Sequence, residues 1–226
     1  MNKYAQQFID HGYAVLDLSV ELGDWVTATR WAADEYVSGR MPNAGWYDHG
    51  MFEVRPVPTI PLLVQTLSFV LKHPAYPRTV CQLSSLEVGF GTHAPNRHVD
   101  GANGELAWSG LLVGISLVPL SKDELAGQLL VWPGTHRKTQ ERFDALGHNP
   151  SVRQVQQAIT PGEEFGNPTT VHGPAGTVVL IDHRLEHAMS PHRTPGILRH
   201  MLYFRLPGFT SDPDDVIDGF HFLLHG

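Results

Sequence analysis

The sequence predicts a mainly β fold of the sandwich, barrel or jelly-roll kind, with helices packed in front of it. Three observations carry this expectation. From residue 79 onward, short β-branched and aliphatic runs alternate with Gly/Pro turns. Before residue 79, apolar residues recur at roughly helical spacing. The 17 prolines and 22 glycines suit many chain reversals better than a parallel α/β sheet.

The elements follow in order. A short helix around Gln6 to Asp10 leads into a first strand, Tyr13 to Leu18. Residues 20–38 place Leu22, Trp25, Ala32 and Tyr36 at helical spacing. A further helix runs from about Ile60 to Lys72 with Leu63, Leu67, Val70 and Leu71 on its inner face. Thr59 suits its cap, Pro61 its first turn, and Pro74 ends it. Strands are then expected over Thr79 to Val88, Leu111 to Val118, Leu129 to Trp132, Thr177 to Ile181 and Leu198 to Leu206. The fourth of these follows the turn Pro174-Ala175-Gly176. Residues 138–165 are polar, with a short helix placed near Val152 to Ala158. No repeat marks an internal boundary, so residues 1–226 are read as one domain. Helices in 1–78 pack on a β core in 79–210, and a tail occupies 211–226. The acidic stretch Ser211 to Asp215 and the apolar Val216 to Leu224 would dock on the barrel or on a second subunit of a homodimer.

Composition excludes several classes. The formal net charge is −7 and no basic run occurs, which argues against a nucleic-acid partner. No segment approaches the roughly 18–20 apolar residues of a membrane span. Cys81 is the only cysteine, so no intramolecular disulfide can form and a reducing compartment is expected. Residues 1–7 lack the apolar run of a signal peptide, and a cytoplasmic location is expected. The 14 histidines nearly match the 16 lysines and arginines, which directs attention to metal or acid–base chemistry.

The central motif is His98-Val99-Asp100. Residues two apart on a strand share a face, so an imidazole and a carboxylate project side by side. Taken alone, His-x-Asp is weak. His187 follows the apolar run Val178 to Ile181 after a short turn and supplies a third ligand at a barrel mouth. Two histidines and a carboxylate on one face of a metal leave the other face open, as iron(II) requires. Zinc more often takes a tetrahedral site with sulfur. Arg199 lies among the apolar residues of the last strand, where a guanidinium must find a carboxylate. The distal carboxylate of 2-oxoglutarate and an internal Asp or Glu are even alternatives on spacing, and the triad favours the first.

These residues belong to a larger pattern that resembles the phytanoyl-CoA dioxygenase-like family of Fe(II)/2-oxoglutarate oxygenases. Gln7 to Leu16 is similar to the family's opening F-x-x-x-G-Y/F-x-V-L. Gly127 to His136 is similar to its G-x-L-x-x-x-P-G-S/T-H segment. His98-Val99-Asp100, Gly176 to His187 and Arg199 follow in the family's order. The resemblance implies a double-stranded β-helix (jelly-roll, cupin-like) core. It implies His98, Asp100 and His187 as iron ligands and Arg199 as the grip on 2-oxoglutarate. It implies O₂ as the other co-substrate, and Ser116 and Gln82 as lesser co-substrate contacts. The reaction implied is oxidation, chiefly hydroxylation, of a small organic metabolite or natural-product intermediate. Asp100 occupies the place that related halogenases leave for a halide. The chain departs from the family at Thr177, His192 and Met201. The alternatives are a metal cupin that does not use 2-oxoglutarate, and a non-catalytic binding module of the same fold.

Other residues carry simpler readings. His183 competes with His187 as a ligand, and His93 suits the rim. His136 belongs to the Pro-Gly turn, where it bonds backbone. His172, His192, His200, His221 and His225 are read as surface or partner-bonded. Trp46, Tyr47, Phe52 and Trp108 suit packing more than a substrate pocket, and Arg97 and Arg184 suit ordinary solvated charge more than neutralising an anionic substrate.

Overall fold

The computed structural model describes residues 2–40, 51–71, 76–77, 79–87, 89, 97–99, 110–122, 125–146 and 166–207. Four helices and nine strands occur among them: α1 (Lys3–His11), β1 (Tyr13–Asp17), α2 (Gly23–Val37), β2 (Met51–Glu53), α3 (Pro61–Leu71), β3 (Val80–Leu86), β4 (Gly110–Ser116), β5 (Leu129–Val131), α4 (Thr135–Asp144), β6 (Thr169–Thr170), β7 (Thr177–Asp182), β8 (His187–Met189) and β9 (Arg199–Pro207). Among the described residues, no helix is long and apolar enough to cross a membrane.

The strands form two antiparallel sheets. The larger has the order β1-β7-β4-β9-β3-β2 and the smaller β6-β5-β8. Strand alternation sends the two faces of the larger sheet into two cores. Leu16, Val113, Ile115, Leu180, Leu202 and Phe204 pack against the helical layer, with Trp25 and Val26 of α2 and Leu63 and Leu67 of α3. Leu112, Val179, Ile181 and Met201 point the other way and meet Leu129 and Val131 of the smaller sheet. Each such buried Val, Leu or Ile contributes on the order of 1.5–3 kcal/mol. This double cover explains why β7 is buried at every position and why it reads as an unbroken apolar run.

Helix α1 begins on an Asn2 cap, whose side-chain oxygen accepts from Ala5 N at 2.7 Å. It ends at Gly12, which adopts φ +80° and donates to Phe8 O at 2.8 Å. A Cβ at Gly12 would lie 2.5 Å from His136 Nδ1. Glycine is thus required both by the backbone and by close packing. In α2 the buried residues are Trp25, Val26, Thr29 and Ala33, with the expected Ala32 and Tyr36 partly buried against the same core. In α3 the inner face is Leu63, Thr66, Leu67 and Leu71, with Val70 only partly buried. Phe52 is buried and packs edge-on against Tyr36, centroids 5.3 Å apart.

Helix α4 was not expected. It starts within the Pro-Gly-Thr-His turn and buries Thr135, His136 and Thr139, polar side chains that leave no apolar stripe to find in the sequence. Strands β6 and β8 were also unexpected, being two and three residues long. The helix expected near 152–158, the stop at Pro74 and the tail lie outside the described residues.

Candidate functional site

His98 and His187 come together through the backbone. Strand β8 begins at His187 and pairs with the isolated residue His98. His98 N donates to His187 O at 3.0 Å, and His187 N to His98 O at 2.9 Å. Directly opposed residues of this kind project their side chains together. The two imidazole centroids are 4.4 Å apart, with planes inclined by 53°. His187 Nδ1 lies 2.9 Å from Leu185 O. A carbonyl can only accept, so Nδ1 carries the hydrogen and the basic lone pair of the neutral ring sits on Nε2. That tautomer is the one a metal-ligating histidine needs. The pair therefore fits a divalent cation by donor chemistry. Asp100 lies outside the described residues. Among the described residues, no cluster of three His, Cys, Asp or Glu side chains gathers.

The residues preceding the two histidines also meet. Arg97 pairs with the fully buried Glu186, and its guanidinium lies 4.6 Å from the centre of the Trp132 ring. Arg142 of α4 approaches Glu186 at 3.8 Å. Thr135 accepts from Glu186 N at 2.9 Å and donates to Trp132 O at 2.8 Å. The Pro-Gly-Thr-His segment is thereby tied to the backbone that delivers His187. Arg97 is accordingly not the solvated charge expected. Neither is Arg184, which forks onto the buried Asp182 at 2.8 and 2.6 Å and reaches Gln140 at 2.5 Å. Burial raises the Asp182 pKa, but the Arg184 bonds outweigh it and hold the carboxyl below its ordinary range.

Arg199 opens β9 on the face of the larger sheet that looks toward the smaller one. It is fully buried. Nη1 donates to Ser84 Oγ at 2.9 Å and Nη2 to Tyr203 Oη at 3.1 Å. Met189, two residues beyond His187, places its sulfur 3.9 Å from Nη1. The guanidinium thus borders the strand that carries His187. Among the described residues it pairs with no carboxylate, and its Nε has no hydrogen-bond partner. The internal salt bridge, the alternative that spacing left open, is absent among those residues.

Ser116 and Gln82 share this sheet face without touching Arg199. Ser116 is paired in register with Met201 and gives its hydrogen to Val118 O at 2.7 Å. Gln82 faces Tyr203 across the sheet and accepts from Arg205 at 2.6 Å. His183 Nδ1 sits 3.0 Å from Gly110 N and 3.1 Å from Gly110 O. His136 approaches Ile9 O at 3.3 Å, the backbone contact expected of it. His200 is fully buried between Ser85 and Asp34 of α2, at 2.7 and 2.9 Å. His192 is fully buried rather than at the surface. Ser84 and Tyr203 escaped the sequence reading. Tyr203 was within reach of it, since positions 199, 201 and 203 of one strand share a face. Ser84 becomes visible only through the pairing of β3 with β9.

No family model matches the chain, and no curated protein does. Solved structures do. The chain is similar to SnoN, the non-haem alpha-ketoglutarate-dependent epimerase from nogalamycin biosynthesis, with a TM-score of 0.61 and 14% identity over 91% of this chain and 81% of that one. It is similar to EctD from S. alaskensis with 2-oxoglutarate and 5-hydroxyectoine, at TM-score 0.62 and 18% identity over 91% and 75%. HygX from Streptomyces hygroscopicus, with nickel and 2-oxoglutarate bound, matches at TM-score 0.60 and 14% identity over 93% and 88%. At these identities the likeness is one of fold. The chain has the double-stranded β-helix, jelly-roll fold that its two facing antiparallel sheets build.

Proposed function

We propose that this chain is an Fe(II)- and 2-oxoglutarate-dependent oxygenase of the phytanoyl-CoA dioxygenase-like kind. It would oxidise a small organic metabolite or natural-product intermediate, chiefly by hydroxylation. The observation that carries this reading is Arg199, a buried cation with hydroxyl partners and, among the described residues, no acid, beside the strand of a facing histidine pair. An uncompensated buried guanidinium is costly. A ligand carboxylate removes that cost, and a bidentate one does so best. A metal cupin that does not use 2-oxoglutarate would have no use for it there.

In this mechanism His98, His187 and Asp100 would hold Fe(II), with the Leu185 carbonyl accepting from His187 Nδ1 and so leaving the Nε2 lone pair to ligate. When bound, the iron supplies the oxidation, coupling conversion of 2-oxoglutarate and O₂ to succinate and CO₂ with oxidation of a substrate C–H bond. Arg199 would pair with the far carboxylate of 2-oxoglutarate and so orient the co-substrate. The Glu186–Arg97 pair holds together the two backbones that present the histidines. The apolar residues between the sheets keep water from the buried charge.

The test is turnover. Protein prepared without oxygen is given Fe(II), 2-oxoglutarate and then O₂, and succinate is measured for the native chain and for Arg199→Ala. Succinate from the native chain and little from the variant is expected. No succinate with any candidate substrate, or equal amounts from both proteins, would refute the assignment.

A further inference from the structure

Met189 follows His187 by two residues on β8, so both side chains leave the same face of the strand. Their register partners on β5, Leu129 and Val131, are buried in the core between the sheets. The thioether therefore reaches across to the larger sheet, where its sulfur lies 3.9 Å from Arg199 Nη1 and 3.9 Å from Ser84 Oγ. Arg199 and Ser84 are both buried. Ser84 accepts from Arg199 at 2.9 Å, and its own hydrogen is directed at the sulfur. A thioether is only a weak acceptor. Two good donors, one of them charged, thus converge on an atom that answers them poorly.

Exposure singles out the same side chain. Met189 is partly exposed, whereas Met201 of β9, in the same core, is 2% exposed. An oxidant arriving from solvent reaches the first thioether before the second.

We propose that Met189 is an oxidation site, and that its sulfoxide takes the hydrogen bonds of Arg199 and Ser84 and so shuts the co-substrate out. The loss of co-substrate rests on the function proposed above; the oxidation and its contact with Arg199 do not. The oxidant is hydrogen peroxide. A sulfur lone pair attacks one peroxide oxygen, an S–O bond forms and the O–O bond breaks. The departing hydroxide takes the proton left on the transferred oxygen and leaves as water. Sulfur is oxidised and the peroxide reduced, with no other reactant. The new oxygen is a polar acceptor where the sulfur was a poor one. Placed in the gap toward Nη1 and Oγ, it comes within ordinary hydrogen-bond length of both. Its bond to the guanidinium is charge-assisted. It engages the Nη1 that a carboxylate of 2-oxoglutarate would use, and it fills the adjoining space. Methionine sulfoxide reductases reverse the change, which makes the site a reversible switch.

The test treats the native chain, Met189→Leu and Arg199→Leu with dilute hydrogen peroxide in the presence of a metal chelator. Met189→Leu keeps the side-chain volume and removes the sulfur. Peptide mass spectrometry locates the added oxygen, and urea denaturation reads the contact with Arg199. Anaerobic calorimetry after removal of peroxide and loading with Fe(II) reads the affinity for 2-oxoglutarate. Oxygen should appear on Met189 well before Met201. Kd for 2-oxoglutarate should rise about tenfold in the treated native chain, return on treatment with sulfoxide reductase, and stay unchanged in Met189→Leu. The treated denaturation midpoint should fall further in Arg199→Leu, where the sulfoxide has lost its cation, than in the native chain. Met201 oxidised as fast as Met189, or midpoints that fall equally in the two proteins, would overturn the site. Met189 oxidised with Kd unchanged would overturn the exclusion of co-substrate. If the untreated chain binds no 2-oxoglutarate, the function proposed above fails, and the midpoints alone decide whether the sulfoxide meets Arg199.

Discussion

Replacing Arg199 by methionine separates a ligand-binding arginine from a structural one. The side chain is fully buried and makes two hydrogen bonds, to Ser84 and Tyr203. Bonds that involve a charged donor are worth about 1.5–3 kcal/mol each, so roughly 3–6 kcal/mol is lost with them. Against this stands the desolvation of a guanidinium that no described carboxylate offsets, several kcal/mol in the same range. The two nearly cancel. Arg199→Met should change the stability of the ligand-free protein by no more than about 1 kcal/mol, in either direction. Binding behaves differently, because a bidentate charged contact of about 3 kcal/mol disappears and Kd for 2-oxoglutarate should rise at least about a hundredfold. Urea denaturation gives the first quantity and anaerobic calorimetry the second. A stability loss of several kcal/mol with affinity retained would refute the reasoning and make Arg199 a structural residue.

Three further outcomes follow from the same contacts. Glu186→Gln strands Arg97 and loosens the segment before His187; it should cost about 3 kcal/mol in a denaturant titration and weaken Fe(II) binding about tenfold. Gly12→Ala forces a side chain into a left-handed conformation against His136 and should lower stability by about 1–3 kcal/mol, where an unchanged denaturation midpoint would contradict the packing. Burial lowers the pKa of His136, of His192 and, despite Asp34, of His200, so below about pH 6.5 the unfolded chain binds more protons than the folded one. Stability should therefore hold above that pH and fall as the pH drops beneath it, before the carboxylates titrate; a flat profile between about pH 7 and 5 would disprove it.

The sequence disclosed elements in proportion to how apolar their contacts are. β4, β7 and β9 lie within the larger sheet, and their largely apolar runs, interrupted in β9 by Arg199, His200 and Arg205, place them nearly to the residue. α4 rests on Thr135, His136 and Thr139 and on ion pairs, so its burial left no periodic signal. β8 is three residues long and exists through its pairing with β5. The histidines at 98 and 187 and the cation at 199 were legible because their residue types and order are distinctive. Their supports were not. Arg97 and Glu186 look like ordinary surface charges until the pairing of residues 98 and 187 brings them together. Ser84 owes its role to register, which a single sequence does not display.

The most direct measurement is an anaerobic absorption titration of the chain with Fe(II) and then 2-oxoglutarate, repeated with His187→Ala. Coordination by the histidine pair requires a metal-to-ligand charge-transfer band that appears only when both are added to the native chain and is lost in the variant. A native chain that never shows the band, or a variant that shows it at full strength, would contradict the placement of the metal between residues 98 and 187.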